Sequence, residues 1–174
     1  MAITSLLSLD ELRRRAARVR LVLTDVDGVL TDTGVYYGAD GEAMKRFSIR
    51  DGMGMEILRD HGIATAMITR EDSPRVASRS RHLKLPYYFP GIWDKASELE
   101  RVLAETGRTM DELAYIGDDI NDLGIMRLIA PHGILGCPGD AMPAIAEIVH
   151  YQATATGGHG AFRDFAEHLL SLRA

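Results

Sequence analysis

The sequence predicts an α/β protein, a Rossmann-like three-layer sandwich built on a central parallel sheet with a small β-hairpin inserted. Two observations predict the sheet. Short apolar runs alternate with helical stretches along the whole chain, which is the pattern of strand–helix–strand units. The runs are also nearly continuous in apolar residues rather than alternating, as strands covered on both faces are. A third observation predicts the hairpin: a turn from Gly38 to Gly41 lies between two short strand-like arms within residues 34–47.

The elements follow in order. Ser8 with Glu11 three residues on has the form of a capping box, and Leu12, Ala16 and Val19 recur at helical spacing, so a short helix opens the fold. Val19 to Thr24 reads as the first strand and Ala64 to Thr69 as the next after the hairpin, followed by a helix over Ser73 to Leu83. Tyr87 to Phe89, a helix from Lys95 to Thr106, Leu113 to Ile116, a helix through Asp122 to Leu128, Gly133 to Leu135, and Pro143 to Ile148 continue the rhythm. A glycine-rich tail at about 154–163, with Gly157, Gly158 and Gly160, is expected to be flexible before a last amphipathic helix, Phe162 to Leu170. No linker, repeat or low-complexity tract divides the chain, so residues 1–174 are expected to form one domain.

Composition narrows the function. A formal charge of -5 argues against a nucleic-acid partner, since phosphate backbones attract basic surfaces. The one basic cluster, Arg13, Arg14, Arg15, Arg18 and Arg20, reads as the solvated face of the first helix. No apolar run reaches membrane-spanning length and no signal-peptide pattern opens the chain, so a cytoplasmic protein without a membrane partner is expected. The single cysteine, Cys137, has no partner for a disulfide or a CxxC site and is expected to be a packing residue.

Two acidic motifs carry the chemistry. Asp25-Val26-Asp27-Gly28 follows the first strand directly, where open α/β sheets present ligands, and Gly28 permits the chain to turn so that both carboxylates face one pocket. A calcium loop would need further acidic ligands and a glutamate at the twelfth position, which are missing. Gly117-Asp118-Asp119-Ile120-Asn121-Asp122 follows another strand. Helix capping explains one of its acids but not three. Carboxylates clustered from two strand ends stay ionised when a cation sits among them, and hard oxygen ligands beside a phosphate favour Mg2+. Thr69 at a strand end and Lys95 after a strand are each weak signals alone, a cap and a solvated lysine being the ordinary readings.

In this order, DxD, Thr, Lys and an acidic GDDxxD motif, the four elements resemble the haloacid dehalogenase (HAD) superfamily. The likeness extends over residues 20–170 through Asp25 to Asp32, Arg50 to Gly54, Asp94-Lys95, Tyr115 to Leu123 and Gly157 to Arg163. Short length and lack of a cap domain resemble the capless subgroup of octulosonate 8-phosphate and nine-carbon keto-sugar-acid 9-phosphate phosphatases. That resemblance implies a phosphatase with Asp25 as nucleophile and Asp27 as general acid and base. It implies Mg2+ held by Asp25, the carbonyl of Asp27 and Asp118, Thr69 and Lys95 on the phosphoryl oxygens, and Asp119 and Asp122 in support.

The second motif reads Ile68-Thr69-Arg70-Glu71, where the octulosonate branch has Ile-Thr-Gly-Arg; Glu71 resembles the nine-carbon branch, and Arg70 matches neither. Substrate contacts are therefore expected among Glu71, Arg70, Arg79 and Arg163. The resemblance also implies a homotetramer in which hairpin and tail meet a neighbouring subunit's site. A phosphatase for another small metabolite, and a noncatalytic phosphosugar-binding module of the same fold, are the alternatives. Without a glycine-rich GxxxxGK[ST] loop, a P-loop enzyme is disfavoured.

Overall fold

The computed structural model of the protein describes residues 7–174. Helix α1 (Leu9–Arg18) starts where Ser8 accepts a hydrogen bond from the Glu11 amide at 3.2 Å. Only this half of the capping box forms, because the Glu11 carboxylate turns to Arg14 and Arg15 instead. Strand β1 (Leu21–Thr24) leads to the hairpin of β2 (Tyr36–Gly38) and β3 (Gly41–Met44). Then come α2 (Ile49–Asp60), β4 (Ala64–Ile68), α3 (Pro74–His82), β5 (Tyr87–Phe89), α4 (Leu99–Thr106) and β6 (Leu113–Ile116). The chain ends with α5 (Ile120–Ile129), β7 (Ile134–Cys137), α6 (Pro143–Ala146), β8 (Tyr151–Gln152) and α7 (Ala161–Ser171).

Six strands form one parallel sheet in the order β5-β4-β1-β6-β7-β8. The chain runs outward from β1 in one direction and then returns to lay β6 on its other side. Adjacent β1 and β6 therefore flank the topological switch point, where the crossovers diverge and leave a crevice beyond the strands' carboxyl ends. Both acidic motifs begin there, and the Asp25 amide is bonded to the Ile116 carbonyl at 3.0 Å.

Each face of the sheet has its own core. Val22, Met67 and Ala114 pack with Leu12 and Ala16 of α1, Met55 and Leu58 of α2, Val76 of α3 and Phe162, Phe165 and Leu169 of α7. Leu21, Leu23, Ile68 and Tyr115 pack on the opposite face with Val102 of α4, Ile125 and Ile129 of α5 and Ile145 of α6. Burial on both faces explains the unbroken apolar strands. The hairpin stands outside this sheet as a separate two-stranded one.

The structure differs from the sequence reading at several elements. Helix α2 has no amphipathic signal to announce it: Gly52 and Gly54 stand where a core-facing helix ordinarily shows large apolar side chains. Gly54 is small because α7 passes close by, and a Cβ there would lie 3.0 Å from the Arg163 Cα. The helix expected from Lys95 begins only at Leu99, since Asp94 bends the chain by accepting bonds from the Ala96 and Ser97 amides. Arg15 is not solvated but buried, donating to the Ala130 and Gly133 carbonyls at 2.7 and 3.0 Å. Cys137 is buried in the sheet as expected, and burial pushes its thiol up to about 12.

Candidate active site

The crevice at the switch point is a cavity of about 390 Å³ lined by Asp25, Asp27, Thr69, Arg70, Glu71, Asp118, Asp119 and Asn121, among others. Gly28 adopts φ +90, a conformation open to glycine, and a Cβ there would overlap the Asp118 carboxylate. That glycine lets the β1 and β6 loops close on one another.

A buried lysine ties the two motifs together. Lys95, 1% exposed, donates to Asp25 at 2.8 Å and to Asp122 at 2.7 Å. Burial alone would pull its ammonium toward neutrality, but the flanking carboxylates more than offset that and raise its pKa. Asp122 is saturated: Oδ1 also accepts from the Tyr115 hydroxyl at 2.6 Å, and Oδ2 accepts from the amides of Asp118 and Asp119 at 3.0 and 3.5 Å. Asp25 accepts from the Val26 amide at 2.7 Å and from Asn121 Nδ2 at 3.2 Å. Thr69 is buried at the end of β4 with its hydroxyl accepting from the Glu71 amide.

Asp118 differs from Asp122. Its Oδ1 is buried with no hydrogen-bond partner. Burial, then Asp25 and Asp122, push its carboxyl up to about 8, and burial with Asp122 raises Asp25 to about 7 despite the opposing pull of Lys95. Oxygens of Asp25, Asp118 and Asp122 lie within 4.8 Å of one another. A carboxylate with a buried, unpartnered oxygen beside a second carboxylate fits a hard divalent cation, which would supply the missing positive charge. Because Asp122 already serves four donors, Asp25 and Asp118 are the carboxylates left to hold that cation.

The structure thus brings Asp25, Asp27, Thr69, Arg70, Glu71, Lys95, Asp118, Asp119 and Asp122 to one crevice. Asp119 caps α5 through the Ile120 amide. Arg79 and Arg163 lie elsewhere: Arg79 donates to the Ser48 carbonyl at 3.1 Å in a recess beside Phe47, and Arg163 on α7 pairs with Glu167. The Arg70 guanidinium carbon lies over the exposed Trp93 ring, 3.7 Å from its centroid. The glycine-rich tail packs on this chain's own loop, the Gly158 amide donating to the Val29 carbonyl at 3.0 Å.

Sequence reading missed Asn121 and Lys45. Asn121 sits inside the acidic motif, one turn from Asp118, and that spacing is a signal for it. Lys45 follows β3, has a side chain 2% exposed, donates to Asp27 and to Glu71 at 2.7 Å, and forms an ion pair with Glu42 at 3.4 Å. Only the folding back of the hairpin onto the crevice places it there, and no local pattern announces that.

Carboxylates from two adjacent strands, a lysine buried between them and a threonine at a third strand end define a HAD-type phosphohydrolase. Comparison with known proteins agrees. The chain is 35% identical over 159 residues to the 3-deoxy-D-manno-octulosonate 8-phosphate phosphatase of Haemophilus influenzae, covering 91% of this chain and 87% of the relative. The cobalt-bound structure of the phosphatase from that organism superposes with a TM-score of 0.85 at 34% identity over 91% of each chain. The Moraxella catarrhalis phosphatase, solved with magnesium, phosphate and a KDO molecule, superposes with a TM-score of 0.87 at 31% identity over 95% of this chain and 94% of the other. No family model matches the chain. The chain belongs to the 3-deoxy-D-manno-octulosonate 8-phosphate phosphatase family of the HAD superfamily.

Proposed function

We propose that the protein is a Mg2+-dependent phosphatase that hydrolyses 3-deoxy-D-manno-octulosonate 8-phosphate through an aspartyl-phosphate on Asp25. The observation that carries this reading is the pairing of Asp25 with the half-buried Asp118, whose Oδ1 is buried without a partner, across the switch point beside Lys95. The relatives' substrate and the magnesium, phosphate and sugar acid bound to the Moraxella protein support the choice of ligand.

In this reading Mg2+, held by the carboxylates of Asp25 and Asp118 and the carbonyl of Asp27, neutralises the repulsion between an anionic nucleophile and an anionic phosphate. Asp25 attacks phosphorus while the bond from phosphorus to the sugar oxygen breaks, and Asp27 gives that oxygen its proton. Asp27 then takes a proton from the water that attacks the aspartyl-phosphate, which releases inorganic phosphate and restores Asp25. Lys95 and Thr69 bind the phosphoryl oxygens, and Asp122 fixes Lys95 in place with Asp119 holding the loop as the cap of α5.

Arg70 and Glu71 are the substrate contacts from this chain; Arg79 and Arg163 would reach a sugar only across a subunit boundary. A homotetramer of single-domain subunits in the cytoplasm, with hairpin and tail at a neighbouring crevice, is the proposed assembly. No helix among the described residues is long and apolar enough to cross a membrane.

The test is phosphate release, with Mg2+ and with chelator, from octulosonate 8-phosphate, nine-carbon keto-acid 9-phosphates, hexose phosphates and mononucleotides. Mg2+-dependent preference for octulosonate 8-phosphate is the expected result. Preference for a nine-carbon compound would assign Glu71 the deciding role, and no release from any would leave a noncatalytic phosphosugar-binding module.

A further inference from the structure

The hairpin delivers one cation to the crevice, and its partners specify what that cation can do. Lys45 is joined to three carboxylates, Asp27 from the β1 loop, Glu71 from the β4 loop and Glu42 from β3 itself. The hairpin is fastened beside it: Arg75 Nε donates to the Ala43 carbonyl at 3.2 Å and the Ser73 hydroxyl to the Glu42 carboxylate at 3.2 Å. An ammonium at the end of a flexible stem loses much side-chain entropy when it is fixed and buried this way. Three partners on three segments are the offsetting gain, and they hold the ammonium where its bond to Asp27 has one direction.

That direction bears on Asp27. Lys45 and the Thr31 hydroxyl, at 3.3 Å, both donate to Asp27 Oδ1. The other oxygen, Oδ2, has no partner among the described residues, and the carboxylate is about a third exposed, toward the crevice it lines. A carboxyl anchored at one oxygen and free at the other can exchange a proton at a single, fixed atom. A carboxyl free at both would spend much of its time turned away from the leaving group, and general acid catalysis depends on that reach.

We propose that Lys45 is the positioning residue for Asp27, anchoring Oδ1 so that Oδ2 faces the leaving oxygen of the sugar phosphate. The inference rests on the reading of Asp27 as acid and base given above. In the step concerned, the bond from phosphorus to the sugar oxygen breaks, its electrons go to that oxygen, and the proton on Asp27 Oδ2 moves to it. Lys45 takes no proton and touches no reacting atom. Through this contact, the hairpin becomes part of the catalytic apparatus as well as a surface element.

Leaving-group dependence separates positioning from a merely structural role. A sugar alkoxide needs the proton, whereas p-nitrophenolate leaves without one, and kcat/KM reports only the steps up to departure of the leaving group. The experiment compares kcat/KM for octulosonate 8-phosphate and p-nitrophenyl phosphate in wild type, Asp27→Asn and Lys45→Met, all with Mg2+. The expected result is a loss of roughly 10²-fold or more with the sugar phosphate in Asp27→Asn, and of about 10-fold to 10²-fold in Lys45→Met, with less than about 3-fold change for the aryl phosphate in Lys45→Met. An equal loss on both substrates in Lys45→Met, or no loss on either, overturns the proposal while Asp27→Asn keeps its selective defect. If Asp27→Asn itself shows no selective defect, the acid–base reading of Asp27 is wrong instead. Should Lys45→Met fail to fold, Lys45→Arg, which keeps the charge but sets a wider head against Oδ1, carries the same comparison, with the same selective loss expected and equal loss contradicting it.

Discussion

Asp118, in the loop after β6, and Asp122, in the first turn of α5, lie four residues apart, and hydrogen bonding gives them different work. Asp122 is saturated by Lys95, Tyr115 and two amides, so its charge is spent on holding the loop and the lysine. Asp118 keeps a buried oxygen unpartnered, which in the absence of a cation is a cost of about 1–3 kcal/mol or more. Asp118→Asn should therefore raise the thermal midpoint of the metal-free protein while abolishing the Mg2+ response. In wild type, Mg2+ at a hundred times its dissociation constant should add about 2.7 kcal/mol, a shift on the order of 5–10 °C for a chain of this size. Scanning calorimetry of both proteins with and without Mg2+ checks this, and an equal Mg2+ shift in the variant would count against Asp118 as a ligand. The acidic residue types and their strand-end positions were legible in the sequence; which acid is saturated depends on Lys95 arriving from beyond β5 and on the Tyr115 side chain of β6 meeting Asp122, and no spacing encodes that.

At the scale of elements, α2 and α7 are packed on one another through Gly54. Placing alanine there gains about 1 kcal/mol of helix propensity but sets a methyl 3.0 Å from the Arg163 backbone, and overpacking of a core contact costs about 1–3 kcal/mol. Gly54→Ala is thus expected to destabilise by up to about 2 kcal/mol in urea unfolding, whereas a stabilised variant would mean that the helices sit farther apart. Gly52 and Gly54 hid α2 from the sequence reading, since they and Asp51 break up a packing face whose large buried apolar residues are only Met55 and Leu58. Strands were legible because burial on both faces leaves an unbroken apolar run, but β8 is only Tyr151–Gln152 and too short to show one. His150, just before it, accepts from the Leu135 amide at 2.9 Å, and burial, with Arg15 nearby, lowers its pKa from 6.5 to about 4. The unfolded chain takes up a proton there below pH 6.5 that the folded chain refuses until about pH 4. Stability is therefore full above pH 6.5 and lost as pH falls toward 4. His150→Asn, whose amide oxygen can accept the same bond, should flatten that part of a thermal-midpoint profile; an unchanged slope would place the acid sensitivity elsewhere.

For the whole molecule, the topology explains why distant segments make one site. A switch point between β1 and β6 opens the crevice, the β4 loop brings Thr69 to its rim, and Lys95 reaches in from beyond β5. The order of these motifs along the chain made the superfamily legible, because four weak or moderate signals in a fixed sequence are far more specific than any one. The outer lining of the crevice was not legible: Arg70 meets Trp93 and Lys45 returns on a hairpin, contacts between segments that the sequence leaves unrelated. Exposed Tyr36, Tyr37 and Met44 on the hairpin are consistent with the proposed tetramer, and shortening the hairpin should lower the mass in solution measured by light scattering. An unchanged mass would remove the hairpin from the interface.

The account as a whole turns on Asp25 carrying phosphate. Rapid acid quench of the enzyme with Mg2+ and octulosonate 8-phosphate labelled at phosphorus should give protein-bound label that hydroxylamine releases, as an acyl phosphate requires. Asp25→Asn should carry none and turn over no substrate. Steady phosphate release without labelled protein, persisting in Asp25→Asn, would contradict the covalent mechanism and the assignment of the nucleophile together.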